Sequence, residues 1–316
     1  MKSSAKRNHH YIWSHHLGKW AASGNAVHYV TKKGRLACDS VVGLARETDF
    51  YRGRHLSPRQ VALIQLTIAK CDASIRQFHE RNLDYWLRGQ RAFEFADASG
   101  LSNQEDLRTE RELFECNFIE DMHARIEHGA QGSFRAIVAE DFSVIVDDVE
   151  FSKLACYIGH LAFRTQRFRR EIESTTTANM SPQDAKDLSA CRWFLDFLHG
   201  MNVGHSLYAY RRSTTQAVLR TDASCPFILS DQPAINIHPS MEYDGLPPQH
   251  LDLFVPLTPL VALAICESNQ FSKGAQYVSS AQVDGFNRLQ AGLARQTIFT
   301  SDRATLKRYW RLIGSI

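Results

Sequence analysis

Apolar residues recur at helical spacing through the middle of the chain. Ser57-Pro58 supplies a helix cap and a helix-starting proline, and Val61, Ile64, Ile68 and Ile75 keep the period towards Phe93, which predicts one long helix or two in series. A second helical segment begins at Leu101-Ser102 and carries Leu113, Phe114, Phe118, Met122 and Ile126 as far as Gly129. A third is predicted from about Asp147 to Ser174, and a fourth from Ser181-Pro182 past Trp193, Phe194 and Phe197 to about Gly200. The two ends of the chain follow a different pattern. Ala26-Val27-His28-Tyr29-Val30 before Lys32-Lys33-Gly34-Arg35 predicts a strand entering a hairpin. Beyond Tyr208, Gln216 to Leu219, Phe227 to Leu229, Asp252 to Val255 and Ala262 to Ile265 form strand-like runs separated by Pro, Asp and Gly, and Val283 to Thr300 predicts a closing helix. The expected fold is therefore α+β and a single domain: a central helical bundle (55–207) packed on a small, mainly antiparallel sheet. That sheet would be formed by the N-terminal segment (1–54) and the C-terminal third (208–316), bringing His10 towards Asp231.

Composition narrows the class. With 44% hydrophobic and 22% charged residues, the chain has the make-up of a folded globular protein. No apolar run approaches the ~20 residues that span a bilayer, and the N-terminus lacks a signal-peptide apolar stretch, so a cytoplasmic protein without a membrane partner is expected. The seven cysteines form no C-x-x-C pair, which argues against a zinc ribbon or a disulfide framework. Lys and Arg number 37 against 34 acidic residues, too small an excess to indicate nucleic acid by itself.

Four groups of residues carry candidate chemistry. Glu120, His123 and Glu127 lie at i, i+3 and i+7 on one helix, where oxygen and imidazole donors could share a divalent metal or form a solvated face. Ser230 and Asp231 end a buried strand: Asp231 suits a cation ligand or a base, and equally an Asx-turn acceptor shaped by Pro233, while Ser230 lacks the Gly-x-Ser-x-Gly elbow of a nucleophile. His10 is the preferred imidazole of the N-terminal His-His pairs. Arg164, Arg167, Arg169 and Arg170, interleaved with Phe163 and Phe168, suit phosphate contact and base stacking, or salt bridges to acids such as Glu171 and Glu173.

A longer pattern connects these pieces. Asn8-His9-His10-Tyr11-Ile12, Ala45 to Tyr51, Ile126-Glu127, Arg164-Thr165, Phe227 to Pro233 and Leu253 to Pro259 occur in the order and spacing of a known family, and the chain resembles the bacterial proteins grouped as domain of unknown function 4238. It departs from that pattern at Trp13 and Gln166, where proline is usual, and at Leu229, where threonine is usual. The resemblance implies an architecture and matched positions at His10, Glu127, Arg164 and Asp231. The activity expected from these groups is metal-assisted phosphodiester hydrolysis, such as that of an effector nuclease in bacterial antiphage defence. In that scheme Asp231 and Glu127 bind Mg2+ or Mn2+, His10 is ligand or base, and Arg164 anchors phosphate. The alternative is a non-catalytic module that binds nucleic acid or an operon-encoded protein, its polar cluster serving as a buried staple.

Overall fold

The computed structural model describes residues 4–22, 24–101, 104–170, 180–240 and 249–316. The chain opens with β1 (Asn8–His10), a short α1 (Ser14–Leu17), the hairpin β2 (Ala26–Val30) and β3 (Leu36–Ser40), and β4 (Arg46–Thr48). The helices α2 (Pro58–Ala69), α3 (Ala73–Ala98), α4 (Glu105–Val138), α5 (Asp148–Phe163) and α6 (Pro182–Ala209) follow. Then come β5 (Thr215–Arg220), β6 (Leu229–Ser230), β7 (Ile235–Asn236), β8 (Asp252–Pro256), β9 (Val261–Cys266), β10 (Gly274–Tyr277), α7 (Ser280–Gly292), β11 (Ile298–Thr300) and α8 (Arg303–Tyr309). The fold is α+β, as the patterning predicts. Among the described residues no helix is long and apolar enough to cross a membrane.

Local chemistry sets the helix starts. Ser57 and Gln60 close a reciprocal capping box on α2 with Pro58 in its first turn, and Ser279 and Gln282 do the same for α7. The apolar run after Ser57 resolves into two helices because Asp72 caps α3 through Ser74 N–H, while Arg76 donates to the carbonyls of Ala69 and Cys71 that α2 leaves open. The predicted stops at Gly129 and Gly200 are crossed. In α4 the apolar stripe continues through the buried Ala130, Phe134 and Ile137, so the core holds the helix past Gly129. In α6 the glycines permit contact: a Cβ on Gly159 of α5 would sit 2.3 Å from the Gly200 carbonyl oxygen, and one on Gly204 would sit 2.6 Å from the Cys156 Cα. Ser102, Ser174, Glu171 and Glu173 lie outside the described residues.

The strands differ most from expectation. Instead of one sheet uniting the N-terminal segment with 208–265, the described residues form three: β1 and β4 pair antiparallel on their own, with His10 opposite Arg46, and the other strands divide between two larger sheets. One has the order β10-β5-β9-β8-β7, with only the β10–β5 pair parallel, and is built entirely from the C-terminal third. The other, β3-β2-β11-β6, joins the N-terminal hairpin to the end of the chain through Phe299 opposite Tyr29 and Leu229. β11 lies inside the stretch predicted as a closing helix. Its three residues are too few to show a period, and the three-stranded environment supplies the hydrogen bonds that select the extended form. Between β6 and β7 the chain crosses from one sheet to the other at Gln232-Pro233-Ala234, where proline donates no ladder bond.

The five-stranded sheet is covered on both faces. Val218, Leu253, Val255, Leu263 and Ile265 pack with α4 and α5, whereas Ala217, Leu219, Phe254, Ala262 and Ala264 pack against Val283, Phe286 and Leu289 of α7. Helix α5 is apolar around most of its circumference, as a helix buried between layers must be.

Two glycine substitutions test this packing. Gly204→Ala should destabilise the fold by about 1–3 kcal/mol through overpacking, while Gly285→Ala, whose Cβ meets nothing within 4 Å, should stabilise α7 by up to about 1 kcal/mol. Urea denaturation of both variants would check the pair, and an undiminished midpoint for Gly204→Ala would refute the close helix contact.

Candidate active site

Glu120, His123 and Glu127 share the inward face of α4 and meet residues from three distant parts of the chain. Arg164 stands where α5 stops, 3% exposed, with Nη2 2.6 Å from Glu127 Oε1. Burial works against its charge, but Glu127 and the neighbouring Tyr51 and Tyr157 outweigh that and hold the guanidinium firmly protonated. The His123 ring lies 4.8 Å from both Tyr51 and His160 and 5.7 Å from Phe197. The Tyr51 hydroxyl donates to the His10 carbonyl at 3.1 Å, tying β1 to the cluster.

Burial is the main electrostatic force here. It raises the Glu120 carboxyl to about 7, with Arg164 pulling the other way and Glu127 adding to the rise. Burial likewise lowers His10, reinforced by Arg46 and Arg164, and drives His123 well below the ordinary imidazole range, reinforced by His160 and Arg164. His160 falls to about 3 by burial and the Arg164 charge. Several buried polar atoms have no hydrogen-bond partner among the described residues: His10 Nε2, Glu120 Oε2, His123 Nδ1, both ring nitrogens of His160 and Arg164 Nε.

Ser230 and Asp231 belong to a second, separate network. The Asp231 carboxylate accepts backbone N–H bonds from Arg295 at 2.8 Å, Gln296 at 2.7 Å and Thr297 at 3.2 Å, holding the loop that leads into β11. Burial raises Asp231 to about 6 despite these three donors. Ser230 Oγ donates to the Gln232 carbonyl and accepts from Gln290 Nε2 at 2.8 Å and from Gln232 N–H. Gln232 in turn accepts from the Thr165 hydroxyl. The expected approach of His10 to Asp231 is met by the segment rather than by the side chain: it is Tyr11 that lies in the field of Asp231, and His10 lies in that of Arg164.

The set Glu120, His123, Glu127 and Asp231 proposed for a metal therefore does not surround one point. Glu127 is committed to Arg164 and Asp231 to backbone amides, and among the described residues no group of three or more His, Cys, Asp or Glu side chains is arranged to hold an ion. The arginines also separate. Arg169 pairs with Asp196 at 2.8 Å and lies over the Phe50 ring at 3.8 Å, Arg167 donates to the Leu293 and Ile316 carbonyls, and Arg170 lies in the field of Arg295. Tyr51 and His160 join the site without having been singled out from the sequence, although His160 lies on the strongly apolar α5 that the periodicity marks as core.

His9 and His16 are buried and fully bonded. Tyr51 N–H donates to His9 Nδ1 at 2.7 Å, so His9 Nε2–H donates to the Cys116 carbonyl at 3.0 Å. His16 spans Tyr157 Oη at 2.8 Å and the Pro256 carbonyl at 2.7 Å, and burial lowers it to about 3.

Two tests separate the networks. Asp231→Ala leaves three backbone donors without their acceptor and should cost about 3–5 kcal/mol, lowering the Tm by roughly 5–15 °C; a melting temperature unchanged from the parent would contradict a structural role. The histidines give a pH signature. A folded-state value of about 3 for His160 against 6.5 unfolded means that the native state excludes a proton the unfolded chain takes up. The contribution is complete above pH 6.5 and is lost as pH falls, by about 2 kcal/mol at pH 5. The raised Glu120 and Asp231 act with the opposite sign, favouring the native state as pH falls from 7 to 5, so the overall curve is partly flattened. Relative to the parent, His160→Phe should gain stability by about 2 kcal/mol between pH 7 and 5, and a pH-independent difference would show the imidazole to be solvated.

No curated protein and no solved structure shows significant similarity to the chain. One family model matches residues 8–304, a span that takes in β1, the α4 cluster, Arg164 and the Ser230-Asp231 crossing, and the chain thus belongs to the family described as protein of unknown function DUF4238.

Proposed function

We propose that the chain is a phosphodiester hydrolase acting on nucleic acid, with its reacting groups at His10, Glu120 and Arg164. The observation that carries this assignment is that an imidazole, a carboxyl and a buried guanidinium from three separate segments converge with His10 Nε2, Glu120 Oε2 and Arg164 Nε all lacking a protein partner among the described residues. Buried polar atoms are nearly always satisfied, so an open set at one place indicates a ligand or ordered water. Neutral His10 would take a proton from the attacking water as its oxygen bonds to phosphorus. Glu120, with a carboxyl near 7, would give its proton to the departing oxygen as that P–O bond breaks. Arg164, oriented by Glu127, would offset charge on the phosphoryl oxygens. The carboxylates considered for Mg2+ or Mn2+ do not meet at one point, so these steps use the chain's own groups, and either ion is an arm of the test. An effector role in bacterial antiphage defence would be the setting for such a nuclease.

A second function is favoured by the closed Ser230-Asp231-Gln232 network: a binding module for nucleic acid or an operon-encoded protein, in which polar clusters only hold the fold.

Labelled single-stranded DNA, RNA and duplex DNA incubated with and without Mg2+ or Mn2+ separate the two. The hydrolase should cleave at least one substrate, lose at least about 100-fold of its rate in Glu120→Gln, and slow as pH rises above about 7 and the acid form is lost. Absence of cleavage under every condition, or an undiminished rate in Glu120→Gln, would leave the binding module.

A further inference from the structure

The sheet β3-β2-β11-β6 ends at β3, whose outer side pairs with no other strand among the described residues. The register of the β2–β3 hairpin decides which backbone groups face outward. Thr31 N–H donates to the Arg35 carbonyl at 2.8 Å, Val41 N–H donates to the Asn25 carbonyl at 3.0 Å, and the pairing between these two points runs without a bulge. Bonded and non-bonded pairs alternate in an antiparallel ladder. Arg35, Ala37 and Asp39 therefore turn their backbone groups to β2, and Leu36, Cys38 and Ser40 turn theirs outward. Ser40 N–H is already taken, by Asp39 Oδ1 at 2.7 Å. The open edge thus consists of the N–H and C=O groups of Leu36 and Cys38, with only a carbonyl from Ser40, and no proline interrupts the strand. Arg35 and Asp39, two residues to either side of Ala37, share its face of the sheet; both are exposed, and neither has an ion-pair partner among the described residues.

We infer that β3 is a docking edge for a second copy of this chain, the two strands pairing antiparallel about a two-fold axis at Ala37. In that register Leu36 of each copy exchanges both backbone bonds with Cys38 of the other, which uses the fully open groups and no others, and Ala37 faces its own counterpart across the axis. Directly opposite residues share a face, so each Arg35 meets Asp39 of the other copy and one strand yields two ion pairs. A register centred on Cys38 fits less well. It sets Ser40, whose N–H is occupied, against Leu36 and leaves Arg35 opposite Val41. Backbone and charge select the same alignment. They also select a copy of this chain, because the strand is complementary to itself, whereas an unrelated strand carries an arginine and an aspartate at that spacing only by chance. The edge is short, which places the contact at the weak end of protein interfaces. It lies apart from the His10-Glu120-Arg164 cluster and stands even in a chain that hydrolyses nothing.

Sedimentation velocity of the full chain over a range of concentrations tests the assignment. The protein should pass from monomer to dimer with a dissociation constant of about 1–100 μM. Arg35→Glu and Asp39→Arg should each weaken association about tenfold or more, since like charges then stand opposite one another, with little change in melting temperature. An equimolar mixture of the two variants should recover it, because every charge again meets its opposite. Crosslinking fixes the register. In a Cys38→Ser background, Ala37→Cys should give a disulfide-linked dimer under mild oxidation, as facing Cα atoms about 4.5 Å apart lie within disulfide reach, whereas Ser40→Cys, opposite Gly34, should give none. A monomer at every concentration, failure of the mixture to recover association, or absence of the Ala37→Cys crosslink overturns the proposal.

Discussion

A guanidinium at 3% exposure is the constraint around which the interior is arranged. Burying an unpaired charge costs several kcal/mol even after relaxation, and Glu127 supplies the counter-charge from α4. Because Arg164 stands at the end of α5, this pair fixes the middle of one helix against the terminus of another. Its influence extends well beyond its partner. His10, His16, His123 and His160 all feel the same positive charge in addition to burial, so the four imidazoles stay neutral together. Glu120 feels the opposite pull, which limits how far burial can raise it. One charge thereby sets the protonation of a whole cluster.

Arg164 is buried because α5 runs between layers. On one side α6 approaches so closely that a Cβ on Gly159 or Gly204 would strike backbone and one on Gly200 would strike the His160 ring; on the other lies the five-stranded sheet, whose far face is sealed by α7. A helix enclosed in this way cannot emerge at solvent when it ends. Thr165, the next residue, bonds to Gln232 at the crossing between the two sheets, so the end of α5 is anchored to the strand that carries Ser230.

Much of the helical part was legible because its signals are local. Ser57-Pro58, Asp147 and Ser181-Pro182 each cap the helix they predict, and the apolar runs around Val218, Phe254 and Leu263 are strands. Helix ends were less legible: glycine is a stop signal only where no partner rewards continuation, and Gly200 lies where α5 presses closest. Sheet membership was hidden for a related reason. Ile298-Phe299-Thr300 is extended only because β2 and β6 flank it, and both are remote in sequence. In the site, the helical spacing of Glu120, His123 and Glu127 correctly places them on one face, but no pattern near Asp231 announces the amides of residues 295–297 that occupy it.

The contrast between Asp231 and Glu120 follows from backbone accounting. Residues 295–297 are neither helix nor strand, so their buried N–H groups need acceptors from elsewhere, and a carboxylate at the end of β6 provides them. Asp231 is thus demanded by the fold. Helix α4 satisfies its own N–H and C=O groups along its length, and the backbone asks nothing of the side chains on its inner face. The Glu120 carboxyl accepts the His10 backbone N–H but keeps Oε2 open, and His123 keeps Nδ1 open, so both retain an atom for whatever enters the cluster. Polar groups borne by a self-satisfied helix, with buried atoms still unpartnered, are the ones whose presence the architecture alone does not explain.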